Sequence, residues 1–155
     1  MAAASAASPR SNTTDDKSTD LADTFWALSE LQRREPTPGA VMIVGSVTLP
    51  TGGTAAWQMG APTEELLADD WEQAAARLDA LAHPVRLRIL KEVLGGRSTA
   101  KELSESESVG SQGQVYHHLR ALTSTGWLRS LAGGRHEVPA ERIVPMLTAV
   151  LGALR

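Results

Sequence analysis

The chain has 155 residues, 42% of them apolar, a formal net charge of −3 and no cysteine. That length carries one compact domain with an extension, and the missing cysteine removes disulfides, thiolate nucleophiles and cysteine-based zinc or metalloid sites. No stretch approaches the ~18 uninterrupted apolar residues of a membrane span, and the start, MAAASAASPRSNTTDDKSTD, lacks the basic-then-apolar order of a secretory signal, so a cytoplasmic protein is expected. The charge is uneven: residues 1–70 hold 4 Lys/Arg against 10 Asp/Glu, and residues 71–155 hold 11 against 8. An acidic first half and a basic second half imply separate roles.

Residues 1–18 are rich in Ala, Ser and Thr and bury too little apolar surface to fold, which predicts a disordered tail. Leu21, Phe25, Leu28 and Leu31 then recur at helical spacing, with Thr19 or Asp20 as the cap and Glu35-Pro36 as the stop, because the residue before proline avoids the α region. The β-branched run after Gly39, the turn Pro50-Thr51-Gly52-Gly53 and a second run around Trp57 predict a β-hairpin. A lone hairpin is unstable in water, so it must pack on the following helices or on a second copy of the chain. Residues 19–62 are thus read as a helix-plus-hairpin extension.

From residue 63 the helical period returns, with Leu67, Trp71, Ala75, Leu78 and Ala82 on one stripe. Thr63 with Glu64 and Glu65, or Asp69 with Glu72, supplies the start. His83-Pro84 ends this helix and opens another, where Pro84 occupies a first-turn position that tolerates its missing N–H. Val85 or Leu87, then Leu90, Val93 and Leu94, face inward, and Gly95-Gly96 closes the helix. Ser98 caps a short helix over TAKELSES, a turn passes through Val109-Gly110-Ser111, and a longer helix runs from Gln112 to Thr125, ended by Gly126. Two short strands surround Ala132-Gly133-Gly134. The last helix sets Val144, Leu147, Leu151 and Leu154 on one stripe, and Pro145 fits it only near the start. Helices joined by a turn and followed by a glycine-tipped hairpin are the layout of a winged helix-turn-helix. The expected fold is therefore mainly α with small β-hairpins, its winged domain spanning 63–155.

The segments LAHPVRLRILKEVLGG, STAKELSE, GQVYHHLRALTSTGWLRS and GGRHEV, in this order and spacing, resemble the ArsR-like winged helix-turn-helix transcriptional regulators. Leu81, Pro84, Arg86, Leu87, Ile89 and Leu90 match the family's entry helix; His117, His118, Leu119, Leu122, Gly126 and Leu128 match its recognition segment. The resemblance runs from about Asp70 to Leu154. It implies double-stranded DNA as partner and a two-fold homodimer with the last helix in the dimer interface. The chain departs from the metal-sensing members, which use Cys pairs or paired His and carboxylates: it has no cysteine and no histidine in its last helix. Metal sensing and a cofactor are not expected. The helix and hairpin at about 20–60 are additional to a minimal member, and the turn SESESVGSQG is longer than the family's usual one.

From Gly110 to His136 the chain carries three arginines, three histidines and no carboxylate. Acid-free basic surface suits an anionic partner. On the helix 112–125, Val115, Leu119 and Leu122 face the core. Gly113, Tyr116, His117 and Arg120 form the opposite stripe, with Gln112 and Gln114 beside it. Gln pairs with adenine and Arg with guanine in the major groove, Ser111 and the helix start suit a phosphate, and Gly113 permits close backbone approach. Arg135 and His136, placed at the wing tip, would reach the minor groove or its phosphates. His118 sits near the core stripe and is read as a packed, hydrogen-bonded histidine. Arg86, Arg88, Lys91, Arg97 and Lys101 are read as a solvated face, the alternative being one phosphate contact among the first three and a DNA-backbone contact from Arg97 or Lys101. Trp26, Trp57 and Trp71 either wall an apolar pocket or belong to the core.

No Ser/His/Asp frame, phosphate loop or metal-ligand spacing supports an enzyme. His117 and His118 point about 100° apart on a helix and cannot share a metal. The sequence thus reads as a homodimeric regulator binding an inverted repeat, with a small-molecule effector or a protein partner at the N-terminal extension. The alternatives are a winged protein-interaction module and a nonspecific nucleoid-associated DNA binder.

Overall fold

The structure is a computed structural model that describes residues 24–106 and 109–154. The expected tail 1–18, Leu21 and the helix cap at Thr19 or Asp20 lie outside the described residues. The chain forms two compact units, one ending at Ala40 and one running from Val41 onward.

In the first unit, helix α1 spans Trp26–Arg34, and the Glu35 N–H closes it on the Leu31 carbonyl at 2.8 Å. Glu30 accepts from Arg33 at 2.6 Å and also binds Arg34; these hydrogen bonds hold its carboxyl down at about 2. The pair is exposed, so it contributes little to stability. Phe25, Trp26 and Leu28 lie on the surface.

The predicted hairpin, β1 (Ala40–Thr48) and β2 (Thr54–Pro62), lies in the second unit from Val41 onward. Its turn is tied by the Leu49 N–H on Gly53 and the Gly52 N–H on Leu49, with Gly52 at φ +86. Helices α2 (Thr63–Ala68), α3 (Glu72–Leu81), α4 (Pro84–Leu94), α5 (Ala100–Ser104) and α6 (Gln112–Ser124) follow. Strands β3 (Arg129–Leu131) and β4 (Arg135–Glu137) form the wing around a 3₁₀ turn at Ala132–Gly134, and α7 (Ala140–Ala153) ends the chain.

The hairpin packs on its own chain. A Cβ on Gly45 would lie 2.6 Å from Val144 Cγ1, so β1 approaches α7 at a distance that only glycine permits. Val47, Leu49 and the buried Ala55 pack with the core of the helices that follow.

The single helix expected from residue 63 is two. Both start signals are used: Glu64 and Glu65 fill the first turn of α2, while Asp69 turns extended and the Asp70 carboxylate accepts the Glu72 N–H at 3.0 Å to begin α3. The Trp71 indole N–H donates to the Leu66 carbonyl at 2.8 Å and staples the corner. The stripe Leu67, Trp71, Ala75, Leu78 and Ala82 faces solvent in the single chain. Trp26, Trp57 and Trp71 do not belong to the core; they are 63%, 37% and 59% exposed.

The core lies between α4, α5, α6, α7 and the wing, around Ile89, Leu90, Leu103, Leu119, Leu122 and Leu128, all at most 2% exposed. Burying side chains of this size stabilises the fold by roughly 1.5–3 kcal/mol each. The cap of α5 is Thr99, one residue after the expected Ser98. Thr99 Oγ1 accepts the Glu102 N–H at 3.2 Å, and the Glu102 carboxylate accepts from the N–H groups of Thr99 and Ser98 at 2.9 and 2.8 Å. In α7, Pro145 stands inside the helix rather than at its start, so the Glu141 carbonyl receives no i+4 N–H. Leu151 and Leu154, at the end of the expected apolar stripe, are 58% and 75% exposed in the single chain.

Candidate nucleic-acid interface

Helices α5 and α6 are the two limbs of a helix-turn-helix. Gly110, at φ +97, turns the chain into α6, and Val109 anchors that turn in the core at 2% exposure. Val115, Leu119 and Leu122 bury one face of α6 completely, which fixes its rotation about its own axis. Gln112, Gly113, Gln114, Tyr116, His117 and Arg120 consequently face outward, as expected.

The first turn is ordered from within. The Ser111 N–H donates to Gln114 Oε1 at 2.9 Å, and the Ser111 hydroxyl lies 3.3 Å from the same oxygen. That oxygen of Gln114 therefore serves the cap. A Cβ on Gly113 would meet nothing within 4 Å, so the closeness that glycine allows there is toward an external partner.

The wing is held at both edges. Arg129 pairs with Glu137 directly across the hairpin register, with Nε 3.0 Å from Oε1. The His136 N–H donates to the Ser98 carbonyl at 2.7 Å, and Arg135 bridges to Thr99, so β4 is tied to the entry of α5. The tip itself is Ala132–Gly134. Arg135 starts β4 beside the tip and is exposed, whereas His136 is half-buried and turns toward α6.

Between α6 and the wing lies an open cleft of about 450 Å³, lined by Tyr116, Leu119, Arg120, Thr123, Ser124, Ser130 and His136. It brings together three of the expected residues, Tyr116, Arg120 and His136. Ser111, Gln112, Gly113, Gln114 and His117 line the exposed helix outside this cleft, and Arg135 lies on the wing. Sequence reasoning missed Thr123, Ser124 and Ser130. The first two follow Arg120 by three and four residues, so helical spacing places them beside it; Ser130 faces His136 across the strand register.

Of the three arginines in the acid-free stretch, Arg129 is neutralised by Glu137. Arg120 and Arg135 form no ion pair among the described residues, although Glu102 feels the charge of Arg135. No group of three or more metal-ligating side chains occurs among the described residues, and none of their helices is long and apolar enough to cross a membrane.

Residues 81–129 match the helix-turn-helix domain family. No curated protein matches the chain. Among solved structures, it is similar to an ArsR family transcriptional regulator at 22% identity and a TM-score of 0.44, covering 56% of this chain and 92% of that one. It is also similar to the transcriptional repressor BigR from Xylella fastidiosa, at 22% identity and a TM-score of 0.45, covering 60% and 97%. The segment 81–129 is thus similar to the helix-turn-helix domain family, and the two-stranded hairpin of β3 and β4 follows it.

Proposed function

We propose that the protein is a sequence-specific DNA-binding transcriptional regulator, acting as a homodimer that reads an inverted repeat through α6 and the wing. The observation that carries this reading is the exposed, acid-free surface in which Tyr116 and Arg120 of α6 converge with His136 of β4, with Arg135 unpaired beside the wing tip. Arg120 supplies bidentate donors for guanine, the Gln112 side chain fits adenine, and the Ser130 hydroxyl suits a phosphate oxygen.

Support for the dimer comes from apolar surface that one chain leaves uncovered. Leu78 and Leu87 meet Val150 and Leu154 in an apolar groove of about 320 Å³, and Leu78 and Leu154 are 57% and 75% exposed. Contiguous exposed apolar surface of this kind marks an association site. A two-fold axis there would set two copies of α6 to read successive half-sites.

The test is selection of bound sequences from a randomised duplex pool by the purified full-length protein. Enrichment of a two-fold-symmetric site is the expected result. Retention of DNA with no enriched sequence would replace this reading with nonspecific binding, and no retention at low salt would replace it with a protein-interaction module.

A further inference from the structure

Where α4 begins, three imidazoles and a guanidinium crowd together on the flank of the recognition helix. His83 is the N-cap of α4: its Nδ1 accepts the Val85 N–H at 3.2 Å. An imidazole nitrogen accepts a hydrogen bond only while it carries no proton. The same ring packs against His118 of α6, the centroids 4.7 Å apart, and His117 meets His118 edge-on at 5.6 Å. Nδ1 of His118 is buried without a hydrogen-bond partner.

The charged groups around this junction are mostly of one sign. From α4 comes Arg86, its side chain only 17% exposed, with Nε buried and unpartnered. From α6 comes His117. Asp79 of α3 lies 3.7 Å from Arg86 Nη1 but is 83% exposed, so it compensates weakly. A proton added to either ring of the His83–His118 pair would sit against an existing cation and the positive N-terminus of α4. On His83 it would also abolish the cap.

From this geometry we propose that the His83–His118 contact is a proton-sensitive latch, which seats the recognition helix against α4 while both rings are neutral and releases it when they are protonated. Burial, together with the neighbouring His83, His117 and Arg86, lowers the His118 affinity for a proton, consistent with a latch closed near neutral pH. The reach from latch to DNA rests on the DNA-binding reading above; the latch itself does not.

Two variants of the full-length chain test it. His83→Asp keeps an oxygen acceptor for the Val85 N–H and favours the helix N-terminus, but has no proton to gain near neutral pH. His118→Gln removes the second titrating ring. The thermal unfolding midpoint and the affinity for the selected duplex are measured at constant ionic strength from pH 8 to 5. For the wild type, the midpoint is expected to fall with pH and specific affinity to drop by roughly tenfold across the window, since one linked proton changes an equilibrium by up to tenfold per pH unit. For ordinary electrostatic binding, added positive charge strengthens the complex instead, so the direction is diagnostic. Both variants should flatten the midpoint profile. If they follow the wild-type midpoint profile, the latch is refuted, even if one variant is less stable throughout. If the midpoint profiles flatten but no duplex binds at any pH, the latch stands and the DNA reading fails.

Discussion

The indole N–H of Trp127 donates to the carbonyl oxygen of Arg77 at 2.8 Å, joining the chain just beyond α6 to α3 across 50 residues of sequence. The ring is 6% exposed, and the Arg142 guanidinium lies 5.7 Å from its centroid. One residue thus ties α3, α6 and α7. Trp127→Phe keeps most of the apolar contact and loses the hydrogen bond, which is expected to cost about 1 kcal/mol. Trp127→Ala also leaves a cavity and is expected to cost about 3–5 kcal/mol. Chemical denaturation followed by circular dichroism separates the two, and equal losses would mean that the hydrogen bond, not the packing, governs this corner.

How much of this was legible in the sequence depends on whether the signal was local. The face of α6 was legible, because Val115, Leu119 and Leu122 repeat at the helical period and that period alone fixes which side is buried. The wing was legible from Gly133 and Gly134, which take φ +75 and +71. The break between α2 and α3 was hidden because apolar residues keep the same period through it; only the choice made by the Asp70 carboxylate, capping Glu72, ends one helix and starts the next. The cleft beside Arg120 was hidden for another reason. Ser130 and His136 reach it only because β4 is fixed to Ser98, a pairing that no local pattern announces.

Gly45 offers a sharper test of the hairpin's place. Its missing side chain accommodates Val144, a β-branched residue that is 2% exposed and holds about one rotamer in a helix. Gly45→Ala is therefore expected to destabilise the protein by about 1–3 kcal/mol through overpacking. Adding Val144→Ala should recover part of that loss, so that the double variant is less destabilised than the two single changes sum to. Strict additivity in a double-mutant cycle would show that the strand and α7 do not press on each other.

The acid side of the stability profile should carry the mark of Glu102. Hydrogen bonds from the N–H groups of Thr99 and Ser98 hold its carboxyl below the ordinary value of 4.5. The folded state thus binds this proton less readily than the unfolded chain does, so the contribution is complete above about pH 4.5 and is lost as pH falls through the lowered value. Glu102→Gln keeps an acceptor for the capping box but removes the charge at the start of α5. Its unfolding midpoint is expected to lie below wild type at pH 7, with the gap closing toward pH 3. A gap that stayed constant over that range would assign the effect to packing instead.

Arg120 and Arg135 should fail in different ways if the recognition surface is as proposed. Arg120 projects from the middle of α6 into the cleft beside Tyr116 and forms no ion pair among the described residues, which suits it to a base edge. Arg120→Ala is expected to cost about 1–3 kcal/mol on the selected site and to relax the choice of base at one position, with little effect on random duplex. Arg135 stands on the exposed edge of the wing beside its glycine tip, where a phosphate is the nearer target. Arg135→Ala should weaken selected and scrambled duplexes alike and reduce the slope of log affinity against log salt by about 1. Fluorescence anisotropy with both duplexes, over several salt concentrations, measures each quantity. Because neither arginine contributes to the core, a loss of binding reports on the interface rather than on folding. Wild-type behaviour in both variants would move the DNA-facing surface away from α6 and the wing altogether.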